Sequence, residues 1–205
     1  MHKLTTHLII ALLTFVLGIA ATTVWHLKRP PAKREVQLIA PNAHWEPIYF
    51  ETINSVAKLS GQNDLRKTNL AEGDIEARVW WGFGLSPLEG ITLRRVAGQW
   101  SAIHVKADDY YEPEKADRKE LRPPKDGWQS FWQRLVSAGV LTLPDASELN
   151  CNVDGLDGGA YVVEINHGNT YRTYMYDMPS EAKCNEAKKM MEIGDIIFEE
   201  VYSQH

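Results

Sequence analysis

Residues 75–83 read IEARVWWGF, and this segment decides the predicted fold because its side chains alternate in polarity along its length. One side is apolar: Ile75, Ala77, Val79, Trp81 and Phe83. The other side carries Glu76, Arg78 and Trp80. An alternation with a period of two residues is typical of a half-buried β-strand, so we expect a strand here with one face on the core.

Two further strands are predicted directly after this one. Residues 91–96 form the second, Ala97 and Gly98 turn the chain, and Trp100 to Lys106 return as the third. The simplest arrangement is a three-stranded antiparallel meander. Residues 108–125 are charged and contain prolines, so we expect them to form a surface loop.

A β-hairpin is predicted near the C-terminus. A three-residue loop at 167–169, with Asn166 facing Thr170, collects most apolar residues on one face: Tyr161, Val163, Ile165, Tyr171, Thr173 and Met175. The other face then pairs Glu164 with Arg172 across the strands. A two-residue loop at His167 and Gly168 mixes the faces and is disfavoured.

Three helices are predicted in the same domain. The first begins at Pro47 and stops near Gly61, the second spans 126–139 with Asp126 as its N-cap, and the third runs from Ser180 to about Tyr202. The predicted class is α+β: an antiparallel sheet, made of the meander and the hairpin, with the helices packed on one face.

The N-terminus predicts a membrane segment. Residues 8–27, LIIALLTFVLGIAATTVWHL, contain no Asp, Glu, Lys or Arg and are long enough to span a bilayer as one helix. A cleaved signal peptide is the alternative, because Gly18 and Ala20 are small residues of the kind found at cleavage sites. The predicted organisation is an anchor or signal peptide at 1–27, a proline-containing basic linker at 28–46, and one globular domain at 47–205.

Two features disagree about which side of the membrane holds the domain. Only Lys3 precedes the apolar run, whereas Lys28, Arg29, Lys33 and Arg34 follow it, which by the positive-inside rule favours a cytoplasmic domain. Cys151 and Cys184 are an even number of cysteines, which favours a disulfide in an oxidising compartment. Two buried free thiols are the alternative. We expect a single-pass protein with an extracytoplasmic domain, or a secreted one after signal cleavage.

Charge excludes one class of partner. The chain carries a formal charge of −5, but residues 45–205 hold 17 Lys and Arg against 26 Asp and Glu, a charge of −9. A domain this acidic is not expected to bind nucleic acid, whose affinity depends on basic contacts to phosphate. The basic linker either contacts anionic lipid or is a solvated flank of the membrane segment.

Recognisable metal and catalytic motifs are absent from the sequence. In the stretch that begins CNVDGLDGG at Cys151, frames starting at Asn152 or Asp154 do not place acids where an EF-hand calcium loop needs them, so a turn is expected. The serine-hydrolase elbow, HExxH, paired CxxC, GxxxxGK[ST] and GxGxxG motifs are also absent. We therefore expect no cofactor and do not favour an enzymatic activity.

Candidate binding residues come from the strand faces opposite the predicted apolar ones. They are Glu76, Arg78, Trp80, Arg172, Tyr174 and Tyr176. Polar and aromatic side chains on an open face are suited to ligand contact. In the alternative interpretation a helix or loop covers the aromatic residues.

Several local patterns resemble those of uncharacterised bacterial proteins that often have an N-terminal hydrophobic segment. The patterns are EARVWWGFG at 76–84, GQWSA at 98–102, DGGAYVVE at 157–164 and YRTY at 171–174. The resemblance implies one conserved domain in an envelope setting and transfers no activity.

Three function classes follow. We expect first a non-enzymatic, membrane-anchored envelope protein that binds a protein or cell-wall partner. The second class is a hydrolase of unfamiliar type, with two close carboxylates or an acid beside His104 or His167 in a pocket. The third is an inhibitor or immunity-like protein whose acidic surface neutralises a basic partner.

Overall fold

A computed structural model describes residues 36–41, 44–83, 86–109, 112–149, 159–168 and 170–203. The described residues form one seven-stranded sheet in the order β1-β7-β6-β2-β3-β4-β5. Its strands are β1 (Gln37–Ile39), β2 (Ile75–Phe83), β3 (Glu89–Val96), β4 (Gln99–Ala107), β5 (Ala116–Glu120), β6 (Ala160–His167) and β7 (Thr170–Asp177). The predicted meander is present as β2, β3 and β4, and the hairpin β6–β7 joins it because β6 pairs with β2.

Three α-helices within the described residues pack on both faces of this sheet. They are α1 (Trp45–Leu59), α2 (Gly127–Ala138) and α3 (Asn185–Tyr202). Ile53 and Val56 of α1 pack in one core cluster with Trp80 and Val162. The buried residues of α2 and α3 pack on the opposite face in a second cluster. The prediction of helices on one face was therefore wrong, because β2 places apolar Trp80 on its second side and α1 covers it.

The sheet also differs from the predicted antiparallel one. It is mixed, since β1 runs parallel to β7, and it contains two strands that were not predicted. β5 lies within the segment expected to be a surface loop, and β1 lies within the expected linker. Both are edge strands, with β1 fully exposed and β5 almost so. Such strands are held by backbone pairing with little burial of side chains, so their sequences carry no apolar alternation to predict them.

The hairpin has a different register from the predicted one. His167 pairs with Thr170, so two residues separate the paired strands, one fewer than predicted. Gly168 has φ of 64°, a backbone conformation that suits the first central position of a type I′ hairpin turn. The shift by one residue moves every side chain of β7 to the other face. Arg172 now lies opposite Ile165, and Thr173 lies opposite Glu164.

Helix ends follow the sequence only in part. Gly139 ends α2 in the left-handed conformation, as expected from its position. Asp126 precedes α2, but its side chain makes no capping hydrogen bond. The last helix begins at Asn185, later than Ser180, and Cys184 is its N-cap residue, with Sγ accepting from the Ala187 N–H. Cys184 therefore precedes the helix, and its side chain is partly buried against the core cluster of α2 and α3.

The expectation of a membrane-spanning helix is also corrected. No helix of the described residues is long and apolar enough to cross a membrane. Residues 8–27, on which that prediction rests, lie outside the described residues, as does most of the basic linker. Cys184 is disulfide-bonded, and no cysteine among the described residues is free. The other cysteine of the chain, Cys151, lies outside the described residues.

Candidate functional site

The predicted binding residues do not form one site. Glu76, Arg78 and Trp80 lie on the α1 side of the sheet, where Arg78 and Trp80 are each 1% exposed. Trp80 packs over Gly90, and a Cβ on Gly90 would lie 2.4 Å from Cε3 of Trp80. The alternative interpretation is confirmed for Trp80, because a helix covers it.

The three candidates from the hairpin lie on the opposite face and anchor the segment after α2. Tyr174 donates to the Val140 carbonyl and Tyr176 to the Pro144 carbonyl, at 2.8 and 2.9 Å. Burial raises the pKa of both hydroxyls, so they remain protonated donors at neutral pH. The remaining candidate, Arg172, donates to two carbonyl groups of the same segment, those of Leu141 and Leu143. These hydrogen bonds hold the segment after α2 against the hairpin.

Glu164 is a buried acceptor with no exposed surface, and its partners are not the predicted one. Trp80 Nε1 donates to Oε2 at 2.8 Å, and the Tyr171 hydroxyl donates to Oε1 at 2.9 Å. Burial, and secondarily the Glu164 carboxylate, hold the pKa of Tyr171 well above its ordinary value. The predicted Glu164–Arg172 ion pair was wrong, because the register places the two side chains on opposite faces.

Arg78 and Glu76 form a buried ion pair on the α1 side. Arg78 Nε and Nη2 both donate to Glu76 Oε1, at 2.9 and 2.6 Å, and Nη2 also donates to the Asn63 carbonyl at 2.9 Å. Arg94 Nε lies 3.2 Å from the other carboxylate oxygen, since Arg94 is the cross-strand partner of Glu76. One carboxylate thus engages two guanidinium groups.

These residues line a cavity of about 140 Å³, which we call the arginine cavity. It lies on the α1 side of β2, β3, β4 and β5, next to the residues that follow α1. Its polar lining includes Gln62, Glu76, Arg78, Thr92, Arg94 and Arg118. Thr92 donates to Gln62 Oε1 at 2.7 Å, which holds the segment after α1 against the sheet.

The charge of the arginine cavity is opposite to that of the domain. Among the described residues, three arginines and one glutamate supply its charged lining, a formal charge of +2 within a domain of −9. The terminal nitrogens of Arg94 have no ion-pair partner in the described part of the chain. Arg118 Nη2 lies 4.0 Å from Glu120 Oε1, the outer limit for an ion pair. Both side chains are close to half exposed, at 47% and 45%. Two guanidinium groups can therefore donate to an incoming anion.

Sequence reasoning missed Arg94, Arg118 and Gln62. Arg94 follows Leu93 in a predicted strand, so its place opposite the apolar residues could have been found from the alternation. Arg118 belongs to an edge strand without apolar periodicity, and Gln62 to the connection after α1. Their convergence depends on the pairing of distant strands, which spacing along the chain does not reveal.

The acid beside a histidine that the hydrolase alternative requires is present. His104 Nε2 lies 3.2 Å from Glu89 Oε2, and Lys106 Nζ lies 2.6 Å from Oε1. The hydrogen bond with His104, and secondarily that with Lys106, lowers the pKa of Glu89 although burial opposes the shift. Glu89 directly faces Lys106 across β3 and β4. The cluster does not line the arginine cavity. It does not line the surface groove between α2 and α3 either, whose walls include Gln133 and Ile196.

Metal sites were considered for the same residues. Within the described ranges, no group of three or more His, Cys, Asp or Glu side chains is placed to hold a metal ion. Most of the stretch weighed as a calcium loop, residues 151–158, lies outside those ranges.

No protein family model and no curated protein matches this chain. The arginine cavity is therefore the feature of the described residues that best indicates a function.

Proposed function

We propose that this domain is a non-enzymatic binding module that recognises an acidic group on a protein or cell-wall partner through the arginine cavity. The observation that carries the proposal is a cavity of charge +2 in a domain of charge −9. In an acidic protein, a local excess of arginine at an open cavity attracts an anion that the rest of the surface repels.

The chemistry of the lining supports binding over catalysis. Guanidinium groups stay protonated at all physiological pH values and cannot exchange protons with a substrate. They offer fixed, planar donors that match carboxylate and phosphate groups. The Glu89–His104 pair, which could exchange protons, does not line the cavity, so the geometry supports binding better than hydrolysis.

The size of the cavity limits what it can hold. A volume of about 140 Å³ is well below the roughly 300–1,000 Å³ of pockets that enclose a whole small-molecule ligand. It has room for several water molecules or for one anionic group. The ligand is therefore an acidic group that projects from a larger partner, with the remainder of that partner outside the cavity.

An arginine network can also be purely structural. Arg78 fits that description in part, because it is 1% exposed and bound to Glu76 and to the Asn63 carbonyl, whereas its Nη1 has no hydrogen-bond partner among the described residues. Arg94 and Arg118 do not, because close to half of each side chain is exposed and their terminal nitrogens lack strong partners among the described residues. The envelope location rests on residues 8–27 and stays a prediction from sequence.

The proposal is tested with an acidic probe. We would titrate the full-length protein into tetraglutamate that carries a neutral fluorophore and follow its anisotropy. Arg118→Gln should weaken binding by about 1–2 kcal/mol, a factor of roughly 5 to 30 in Kd, because a hydrogen bond between charged groups is lost at a half-exposed site. Binding should also weaken as salt rises.

The matched control is Arg134→Gln. Arg134 is 46% exposed, close to the 45% of Arg118, and it pairs with Glu199 on the opposite face of the sheet. Both substitutions remove one positive charge, so they change the net charge equally. Equal effects of the two variants would contradict the proposal, and so would the absence of tetraglutamate binding to the wild type.

A further inference from the structure

We infer that Glu76 makes the arginine cavity selective for a singly charged carboxylate over a doubly charged phosphate. The inference rests on the proposed function and assigns the ligand class of the same site. Glu76 is the one acidic residue among the described residues that line this cavity, and its side chain is 7% exposed.

Glu76 already acts as a resident carboxylate inside the cavity. Its Oε1 accepts both donors from Arg78, and its Oε2 lies 3.2 Å from Arg94 Nε. The inner arginine is thereby neutralised, and the Nε of Arg94 is engaged. An incoming ligand is left with Arg78 Nη1, which has no partner among the described residues, with the terminal nitrogens of Arg94 and with the guanidinium of Arg118. That donor set suits the two oxygens of one planar carboxylate.

The fixed negative charge of Glu76 penalises a dianion more than a monoanion. Attraction to the arginines grows in proportion to ligand charge, whereas the cost of removing an ion from water grows with the square of that charge in the Born description. Glu76 reduces the attractive part and leaves the desolvation cost unchanged. Glu76 therefore favours the binding of a monoanion over that of a dianion.

Cavity size agrees with this ligand class. A carboxylate ends a flexible chain and enters a small opening with its two oxygens forward. A phosphate presents three acceptor oxygens and needs donors on several sides. The Thr92 hydroxyl already donates to Gln62, and Gln62 Nε2 donates to Ser60 Oγ, so both side chains already use these donors within the protein.

The test is an NMR titration of the full-length protein with sodium acetate and with inorganic phosphate, at constant ionic strength. At about pH 8 the phosphate is mostly a dianion. The Nε–Hε signals of Arg94 and Arg118 report binding in the cavity, and those of Arg134 serve as the control. We expect acetate to bind the wild type at least about threefold more tightly than phosphate. Glu76→Gln should shift the ratio toward phosphate by about tenfold, because one nearby negative charge is removed.

The outcomes separate this inference from the proposed function. Phosphate binding as tightly as acetate, with shifts at Arg94 and Arg118, would overturn the inference and leave anion binding in place. An unchanged ratio in Glu76→Gln would overturn the role of Glu76. The absence of shifts with either anion would overturn both. If Glu76→Gln does not fold, the wild-type ratio decides the ligand class.

Discussion

The most informative perturbation of the fold concerns the buried carboxylate of Glu164. Tyr171→Phe removes one of its two hydrogen bonds and changes no other heavy atom of the side chain. Both residues have 0% exposure, so water cannot replace the lost donor. A hydrogen bond to a charged group contributes about 1.5–3 kcal/mol, and we expect Tyr171→Phe to lower the free energy of unfolding by about 2 kcal/mol.

The assay is urea unfolding of the full-length protein at neutral pH, followed by far-UV circular dichroism. Tyr161→Phe is the matched control. Tyr161 lies on β6, its side chain is partly exposed, and its hydroxyl has no hydrogen-bond partner among the described residues. Removing that hydroxyl should change the free energy of unfolding by less than about 0.5 kcal/mol.

A double-mutant cycle tests whether the loss of stability in Tyr171→Phe comes from the contact between Tyr171 and Glu164. Glu164→Gln alone should lower the free energy of unfolding by about 1–3 kcal/mol. Both partners of Glu164 are donors, the hydroxyl of Tyr171 and the indole N–H of Trp80, and the amide N–H₂ of glutamine cannot accept from the one that it faces. The double variant should cost less than the sum by about 1 kcal/mol or more, since the two groups are in contact. If Tyr171→Phe costs no more than Tyr161→Phe, the register of the hairpin and the role of Glu164 are both refuted.

Three further perturbations test other parts of the structure. Gly90→Ala should lower the free energy of unfolding by about 1–3 kcal/mol, because the new Cβ would lie 2.4 Å from Trp80. Gly159→Ala is the control, because a Cβ there meets open space. Equal urea midpoints for the two variants would contradict this prediction. Arg172→Met should lower the free energy of unfolding by about 1–3 kcal/mol, because the Leu141 and Leu143 carbonyls lose their donor. An unchanged urea midpoint would show that Arg172 does not anchor this segment. The pKa of Glu89 is lowered in the folded state, so its stabilisation is present above the ordinary value of 4.5 and is lost as pH falls through the folded-state pKa. The stability difference between wild type and Glu89→Gln should therefore shrink between about pH 6 and pH 3, and a constant difference would count against the pair.

The central part of the fold could be predicted from the sequence because its pattern is unambiguous. Apolar residues of β2 alternate with polar ones, and the turn at Ala97 and Gly98 separates two further strands. The spacing of Trp128, Phe131 and Leu135 identifies the second helix, and all three are buried. For α2 the local pattern and the tertiary packing agree, whereas β2 forms as a strand but is buried on both faces and not on one.

The register of the hairpin could not be predicted in the same way. Tyr171, Tyr174 and Tyr176 are all aromatic, so both faces of β7 have apolar character and neither register stands out. The loop sequence at 167–169 permits either two or three residues in the turn. Burial of Glu164 decides against the predicted register, because only the observed one places Tyr171 on the same face as its carboxylate. A buried carboxylate with two specific donors is not visible in a polarity pattern.

The arginine cavity could be predicted only in fragments. Glu76 and Arg78 were candidates because they lie opposite an apolar face, and they do line the cavity. The exposed donors of Arg94 and Arg118 arrive from β3 and β5, and β5 forms through edge pairing that its charged sequence does not indicate. The site is thus a product of the order of strands in the sheet.

The most direct test of the central claim is a crystal structure of the full-length protein grown with tetraglutamate. The proposed function predicts one glutamate carboxylate inside the arginine cavity, within hydrogen-bonding distance of a terminal nitrogen of Arg94 and of the Arg118 guanidinium. Glu76 should keep its contacts with Arg78. A peptide bound elsewhere, with the cavity holding only solvent, would contradict the claim that this cavity recognises an acidic group.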